Sequence, residues 1–335
     1  MPNDASQLFG RSTPRIDGVA KVTGAARYAS DEPVANPAFA YLVTSGIARG
    51  RIGGFNLEPA KAVAGVLDIL THENVAGLTQ APLSQAGGPT TTTLESDHIW
   101  HDGQIIAVVV ADTYEGAREA ANKVGVNYVP EPPGATFDSP GVETEPHQSL
   151  FGPDPQKGDA EVAFAAAPVK VEARYQTPTQ HHNAIELFTA TCVWDGPQLT
   201  IYEPSQMMWG TKAAIARQLG LDPANVRVVS RYVGGAFGAK GWLAATAWIA
   251  IAAKRLGRPV KLVATRDQSF TIASYRAETR QHVKLGAARD GKLISYFHEG
   301  WDITSRPSGL NLIGVDATAR VYACPNIATA GNVVH

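Results

Sequence analysis

Apolar and polar positions divide the first part of the chain into short alternating elements. AFAYLVTS (38–45) and GVLDIL (65–70) are dense in apolar residues and predict strands, with EPAKAVA (58–64) as a short helix between them. QIIAVVVA (104–111) predicts a further strand. YEGAREAANKV (114–124) then sets Ala117, Ala120, Ala121 and Val124 on one helical face, and GVNYV (125–129) closes the unit as a strand. Strands alternating with helices in this way predict an α/β unit.

From Pro130 to Asp159 the periodicity stops. The text PEPPGATFDSPGVETEPHQSLFGPDPQKGD is rich in Pro, Gly and acids, which predicts an interdomain linker. The chain therefore divides into residues 1–130, a linker at 131–158, and residues 159–335. In the second part VKVEARYQT, TATCVWD and LTIYEP are strand-like, with Asp195-Gly196 as a hairpin signal between the last two. A helix is expected from about Met207 to Leu219. NVRVVSRYV (225–233) predicts a strand, and residues 241–256 predict a buried helix whose apolar run WLAATAWIAIAA has only 12 residues before Lys254, against the ~20 needed to cross a bilayer. PVKLVAT and RQHVKLGAARDGKLISYFHEG return the chain to sheet through a turn at Asp290-Gly291. The fold class is mixed α/β.

Between that strand and that helix lies YVGGAFGAKG (232–241). A P-loop needs Gly-Lys-Ser/Thr at its end, and here Lys240 follows Ala239 and precedes Gly241. A dinucleotide fingerprint needs Gly-x-Gly-x-x-Gly, and Ala236 stands at the second of those positions. What survives is physical: Gly234, Gly235 and Gly238 can adopt positive φ and leave their amides uncovered, so the turn can offer several donors to an anion or an oxo group. A tight turn before a core helix is the alternative. The strand-to-helix context favours ligand binding, because exposed amides and a helix N-terminus then converge.

Charge narrows the partners. With 29 basic and 31 acidic residues mixed along the 335, net charge −2, there is no basic stripe for nucleic acid or a membrane surface. The N-terminus MPNDASQLFG lacks a signal peptide, so the sequence by itself reads as cytoplasmic, and periplasmic export would rest on a partner's signal. Cys192 and Cys324 are the two cysteines, too few for a disulfide framework, a zinc ribbon or an iron–sulfur cluster. The stretch TPTQHHNAIE concentrates Gln180, His181, His182, Asn183 and Glu186. Metal ligation is one reading, but there is no His-Glu-x-x-His pattern and adjacent strand histidines face opposite sides, so structural hydrogen bonding is the commoner fate. His98 and His101 read as loop residues. Gly-x-Ser-x-Gly is absent, which weakens a hydrolase reading.

Five stretches in order, RSTPRIDGVAKVTGAARYASD, GQIIAVVVADTYEGAREAA, YQTPTQHHNAIE, YVGGAFGAKG and RPVKLVATRD, resemble the molybdopterin-binding large subunits of the xanthine dehydrogenase and aldehyde oxidase family, with the flavour of bacterial three-subunit aldehyde oxidoreductases. The resemblance covers essentially the whole chain. It implies an a/b hammerhead domain followed by the first part of a molybdopterin-binding domain. It also implies a molybdopterin cofactor, in the cytosine dinucleotide form, with a [2Fe–2S] subunit and an FAD subunit as partners. By the resemblance, Gln180 hydrogen-bonds a molybdenum ligand; Gly234, Gly235, Ala236, Phe237 and Gly238 cradle the cofactor; Phe237 and Gly241 lie toward the substrate. Molybdenum is held by the pterin's own sulfurs, so no protein metal ligand is expected. The implied reaction takes an aldehyde to a carboxylic acid with water as the oxygen source, the cofactor doing the difficult step.

Three departures qualify this. Relatives that oxidise purines carry a glutamate where this chain has Gly241, which turns the expectation to aldehydes, aromatic ones included. Ala236 and Ala239 replace common glycines and require negative φ there. The base of the family is a glutamate near the C-terminus of longer chains, and neither Glu186 nor Glu203 matches it; residues 1–335 alone are expected to be inactive, as a truncated frame or half of a split subunit. A non-catalytic assembly module with the hammerhead fold, or a subunit hydroxylating N-heterocycles, are the competing expectations.

Overall fold

A computed structural model describes residues 10, 12–80, 93–147, 152–241, 243–304 and 314–335. In chain order the strands are β1 (Ala38–Thr44), β2 (Gly50–Asn56), β3 (Val66–Thr71), β4 (His98–Ile99), β5 (Ile105–Ala111) and β6 (Gly125–Pro130). There follow β7 (Thr144–Pro146), β8 (Gln156–Lys157), β9 (Val169–Thr177), β10 (Thr189–Asp195), β11 (Gln198–Tyr202) and β12 (Val226–Val229). The last are β13 (Val260–Val263), β14 (Thr279–Ala287), β15 (Leu293–Ile303) and β16 (Asn326–Val334).

The main sheet has seven strands in the order β12-β11-β10-β13-β1-β5-β3. β1 and β13 lie parallel, with Ala38 opposite Val260, so strand pairing joins residues on both sides of the predicted linker. β5 is buried along its whole length, as its unbroken apolar run requires of a strand covered on both faces. One face is covered by the helix Thr246–Leu256, where Thr246, Ala247, Trp248, Ile249, Ala250, Ala252 and Ala253 are all buried. Small alanines let that helix lie close to the sheet, and the two indole donors at the contact are satisfied: Trp248 Nε1 donates to Thr93 Oγ1 at 2.8 Å and Trp194 Nε1 to the Ala250 carbonyl at 2.8 Å. Gly257 ends the helix at φ +62°, the left-handed cap that favours glycine.

A second sheet runs β7-β16-β15-β14-β9, with β8 also pairing β16, and a small third sheet runs β4-β2-β6. The hairpin signals hold: Gly196 turns β10 into β11 and Gly291 turns β14 into β15, both at positive φ. Four expectations change. The segment 131–158 is not a free linker, because β7 and β8 pair with β16 and Arg280 holds Asp138 at 2.7 Å. The strand expected over 225–233 stops at Val229, where the chain leaves the sheet and Ser230 Oγ accepts the Ser205 amide at 3.0 Å. The helix expected from 241 starts only at Thr246. His98, expected in a loop, belongs to β4 and stacks on Trp100 with centroids 4.9 Å apart.

Candidate functional site

The glycine loop lies between two anchors. At its start Glu186 accepts the Gly234 amide at 2.7 Å and the Lys240 ammonium at 2.9 Å with the same carboxylate oxygen, while Lys240 Nζ also donates to the Glu186 carbonyl at 2.9 Å. Lys240 is 1% exposed and Glu186 9%. Burial pulls the Lys240 pKa below its ordinary value, and the Glu186 carboxylate opposes that pull. The backbone adds a reciprocal pair at this end, the Glu186 amide donating to the Gly234 carbonyl at 3.1 Å.

At the other end Gln206 Oε1 accepts the Gly238 amide at 3.1 Å and the Lys240 amide at 3.4 Å, and the Gln206 amide donates to the Lys240 carbonyl at 2.8 Å. The Gly241 carbonyl is held by Ser205 Oγ at 2.7 Å and Thr211 Oγ1 at 2.8 Å. Glu203 then accepts from the Leu243 amide at 2.7 Å and from Thr246 Oγ1 at 2.5 Å. It therefore occupies the start of the buried helix. The helix N-terminus expected to meet a ligand is filled by a carboxylate of the chain itself. Burial raises the pKa of Glu203 to about 7, with the Thr246 and Leu243 hydrogen bonds and Lys240 opposing.

Between the anchors the loop is left open. Gly235, Phe237 and Gly238 stand at φ +97°, +54° and +106°, whereas Gly234, Ala236 and Ala239 do not enter the positive region, as the two alanines require. Gly234 is glycine for space: a Cβ there would lie 2.6 Å from Glu186 Cβ. Phe237 is 66% exposed, with its ring over Gly235. The amides of Gly235, Ala236 and Phe237 have no partner among the described residues, whereas those of Gly234, Gly238, Ala239 and Lys240 are all bonded. Consecutive unpaired amide donors on a glycine turn are the kind of backbone that can accept an anion. This donor set, and the glycine positions that a side chain would fill, fit an oxygen-rich anionic cofactor.

Gln180 reaches the loop through Arg276. Their backbones pair at 3.0 and 2.8 Å, and Arg276 Nη2 donates to the Phe237 carbonyl at 3.0 Å. The Gln180 side chain is exposed. Its neighbours are structural and go to separate partners. His181 packs against Phe270 and Tyr275, and Asn183 accepts from Arg266 at 3.0 Å. His182 Nδ1 faces the Ser274 carbonyl at 3.0 Å, and burial, with Arg276 beside it, lowers its pKa. A carbonyl can only accept, so Nδ1 carries a hydrogen. Among the described residues no group of three His, Cys, Asp or Glu side chains is placed to hold a metal.

Two family-wide sequence profiles match this chain: the aldehyde oxidase and xanthine dehydrogenase a/b hammerhead domain over residues 23–132, and the molybdopterin cofactor-binding domain over residues 142–335. The chain belongs to the xanthine dehydrogenase and aldehyde oxidase family. It is a molybdopterin-binding large-subunit sequence, matching the N-terminal part of such subunits. It is 36% identical over 332 residues to the aldehyde oxidoreductase molybdenum-binding subunit PaoC of Escherichia coli (strain K12), covering 97% of this chain and 44% of that protein. The aldehyde oxidoreductase from Desulfovibrio gigas superposes with a TM-score of 0.77 at 25% identity, over 96% of this chain and 38% of that one. CO dehydrogenase from Oligotropha carboxidovorans reaches 0.80 at 21% identity, over 97% and 44%, which shows the fold alone.

Within this family member the structure brings Gly234 to Gly238 and the Gln180 segment to one place. Gly241 is separated from them: it is buried, with its carbonyl turned to Ser205 and Thr211, whereas Phe237 faces out. Sequence reasoning missed Gln206, Arg276 and the Glu186–Lys240 pair. A buried lysine needs a carboxylate or equivalent acceptors, but nothing local in the sequence marked Lys240 as buried or Glu186 as its mate.

Proposed function

We propose that this chain is the molybdenum-cofactor subunit of an aldehyde-oxidising enzyme. The observation that carries the reading is the open loop 235–237, three free amides fixed between the Glu186–Lys240 pair and Gln206, with Gln180 tied to it through Arg276. When bound, a molybdopterin cofactor supplies the two-electron redox chemistry, and the cytosine dinucleotide form is the one proposed. The chain's own residues bind and orient. The amides of Gly235, Ala236 and Phe237 hold the cofactor, Gln180 directs a hydrogen bond to a molybdenum ligand, and the exposed Phe237 ring walls the substrate side.

Neither nearby glutamate is free to act as a base, since Glu186 is paired with Lys240 and Glu203 is buried at a helix start. Following the family resemblance, the base is assigned to a glutamate other than these two, and turnover to the assembled enzyme. Water supplies oxygen for the carboxylic acid, and electrons leave through [2Fe–2S] and FAD subunits. Gly241 leaves no carboxylate to orient a purine, which favours aldehydes over xanthine. Among the described residues no helix is long and apolar enough to cross a membrane.

The test is elemental analysis of the protein purified from its host with everything that copurifies. Gly238→Val places a β-branched side chain at φ +106°, where a Cβ would lie 3.1 Å from Arg276 Nη2, and should remove molybdenum from the folded fraction. Unchanged molybdenum in that variant overturns the cradle. Gln180→Ala should keep molybdenum and lower aldehyde turnover roughly tenfold to a hundredfold, the worth of one hydrogen bond to a charged group. Xanthine turned over faster than benzaldehyde defeats the substrate assignment.

A further inference from the structure

The strand β9 is an edge without the usual protection. It ends the order β7-β16-β15-β14-β9, so among the described residues one side of it pairs with β14 and the other side with no strand. Its register runs one residue for one, from Thr177 opposite Thr279 to Val169 opposite Ala287, without a bulge, and prolines stand only outside it, at Pro168 and Pro178. Ala173 is half-buried and the rest of the nine residues are exposed. Short length, bulges and internal prolines are what keep sheet edges from joining, and β9 has none of them.

Its two faces differ. Val169, Val171, Ala173, Tyr175 and Thr177 alternate onto one face, and Lys170, Glu172, Arg174 and Gln176 onto the other. On the apolar face Val169, Val171 and Tyr175 are 44%, 53% and 58% exposed. On the polar face Lys170 is tied to the Ala165 carbonyl, and Glu172 Oε1 meets His282 Nε2 at 2.8 Å. The Glu172 side chain is still 52% exposed, and a carboxylate can accept a second donor. Arg174 is exposed beside it.

We propose that the β9 edge is a self-association surface, on which a second copy of this chain lays its own β9 antiparallel about a two-fold axis through Ala173, joining the two second sheets into one. Directly opposite residues of an antiparallel pair share a face. In this register Val171 meets Tyr175 and Glu172 meets Arg174, each twice by symmetry, while Val169 meets Thr177 and Lys170 meets Gln176, so the whole strand is paired. The neighbouring registers are excluded by charge. An axis at Glu172 sets two carboxylates opposite each other and Lys170 against Arg174, and an axis at Arg174 sets two guanidiniums opposite each other. Like charges directly opposite destabilise a sheet. The charges of β9 therefore do not blunt the edge; they select its own copy as partner. The cofactor loop takes no part in this surface, so the inference stands apart from the function proposed above.

The experiment uses the protein purified from its host with everything that copurifies, its mass followed by sedimentation over a dilution series. The unaltered protein should carry two copies of this chain per assembly and halve on dilution. Arg174→Glu sets carboxylates opposite each other and should weaken association roughly tenfold or more. Combining it with Glu172→Arg exchanges the two charges within one chain and should restore association, a rescue that a strand from any other protein would not give. Ala173→Cys should close a disulfide between two copies under diamide, because the two residues face each other across the axis, whereas Thr177→Cys should not; the natural Cys192 and Cys324 are buried. Should a charge variant not fold, the cysteine pair alone still decides the register. One copy per assembly at every concentration overturns the proposal, as does failure of the double exchange to rescue. Exchange-protected β9 amides in a single-copy assembly also overturn it, since another strand then occupies the edge.

Discussion

The two flanks of the glycine loop each bury a glutamate, and they solve the cost of that burial differently. On the Gly234 side Glu186 is matched by a full opposite charge, Lys240, and both side chains are nine-tenths or more buried. On the helix side the hydrogen bonds to the Glu203 carboxylate come from neutral groups, the Leu243 amide and the Thr246 hydroxyl. A desolvated carboxylate met by neutral donors gives up part of its ionisation, and the pKa of Glu203 rises to about 7. One flank is therefore an electrostatic staple, and the other is a proton-holding cap. The loop between them inherits its shape from both.

Removing the staple should have the largest effect. Lys240→Met fills a similar volume but leaves Glu186 buried against the Gly234 amide alone, and breaking a buried pair in this way costs about 3 to 5 kcal/mol. Denaturant unfolding of the variant should show that loss. A change below about 1 kcal/mol would mean that Glu186 escapes to water or takes up a proton at little cost.

The cap is tested through pH. Because the folded-state pKa of Glu203 lies above its unfolded value of 4.5, its stabilising share is complete below pH 4.5 and is lost as pH rises through about 7. Over that window the loss amounts to roughly 3 kcal/mol, from 1.36 kcal/mol per pKa unit. Glu203→Gln keeps an acceptor for the Leu243 amide, sets an NH2 group against the Thr246 hydroxyl and does not titrate, so its stability should lack this fall between pH 4.5 and 7. Melting curves of the two proteins across the window decide it, and parallel pH profiles would assign the titration elsewhere.

Ser205→Ala should have the smallest effect. The Gly241 carbonyl loses one of two hydroxyl donors and retains Thr211 at 2.8 Å, so no buried acceptor is orphaned and the cost is about 1 kcal/mol. A melting shift as large as that of Lys240→Met would show that the cap side carries the loop more than the staple side does.

The sequence alone determined the parts whose cause is local. The all-apolar run of β5, the alanine face of the helix Tyr114–Asn122, the hairpins at Gly196 and Gly291 and the need for negative φ at Ala236 and Ala239 follow from periodicity and backbone sterics. The ordered motifs placed the chain in its family, because five matches in sequence constrain far more than any one glycine loop. Tertiary structure decided what depends on residues distant along the chain. Glu186 and Lys240 are 54 positions apart, Gln206 and Gly238 are 32, and β1 meets β13 across more than two hundred. No periodicity records such pairings. The late start of the helix at Thr246 has the same origin: Gln206, Ser205, Thr211 and Glu203 hold the Gly238 amide, the Gly241 carbonyl and the Leu243 amide, all ahead of the first helical turn. Burial makes each of these partners obligatory, since a polar group taken out of water must be satisfied wherever the fold supplies a mate.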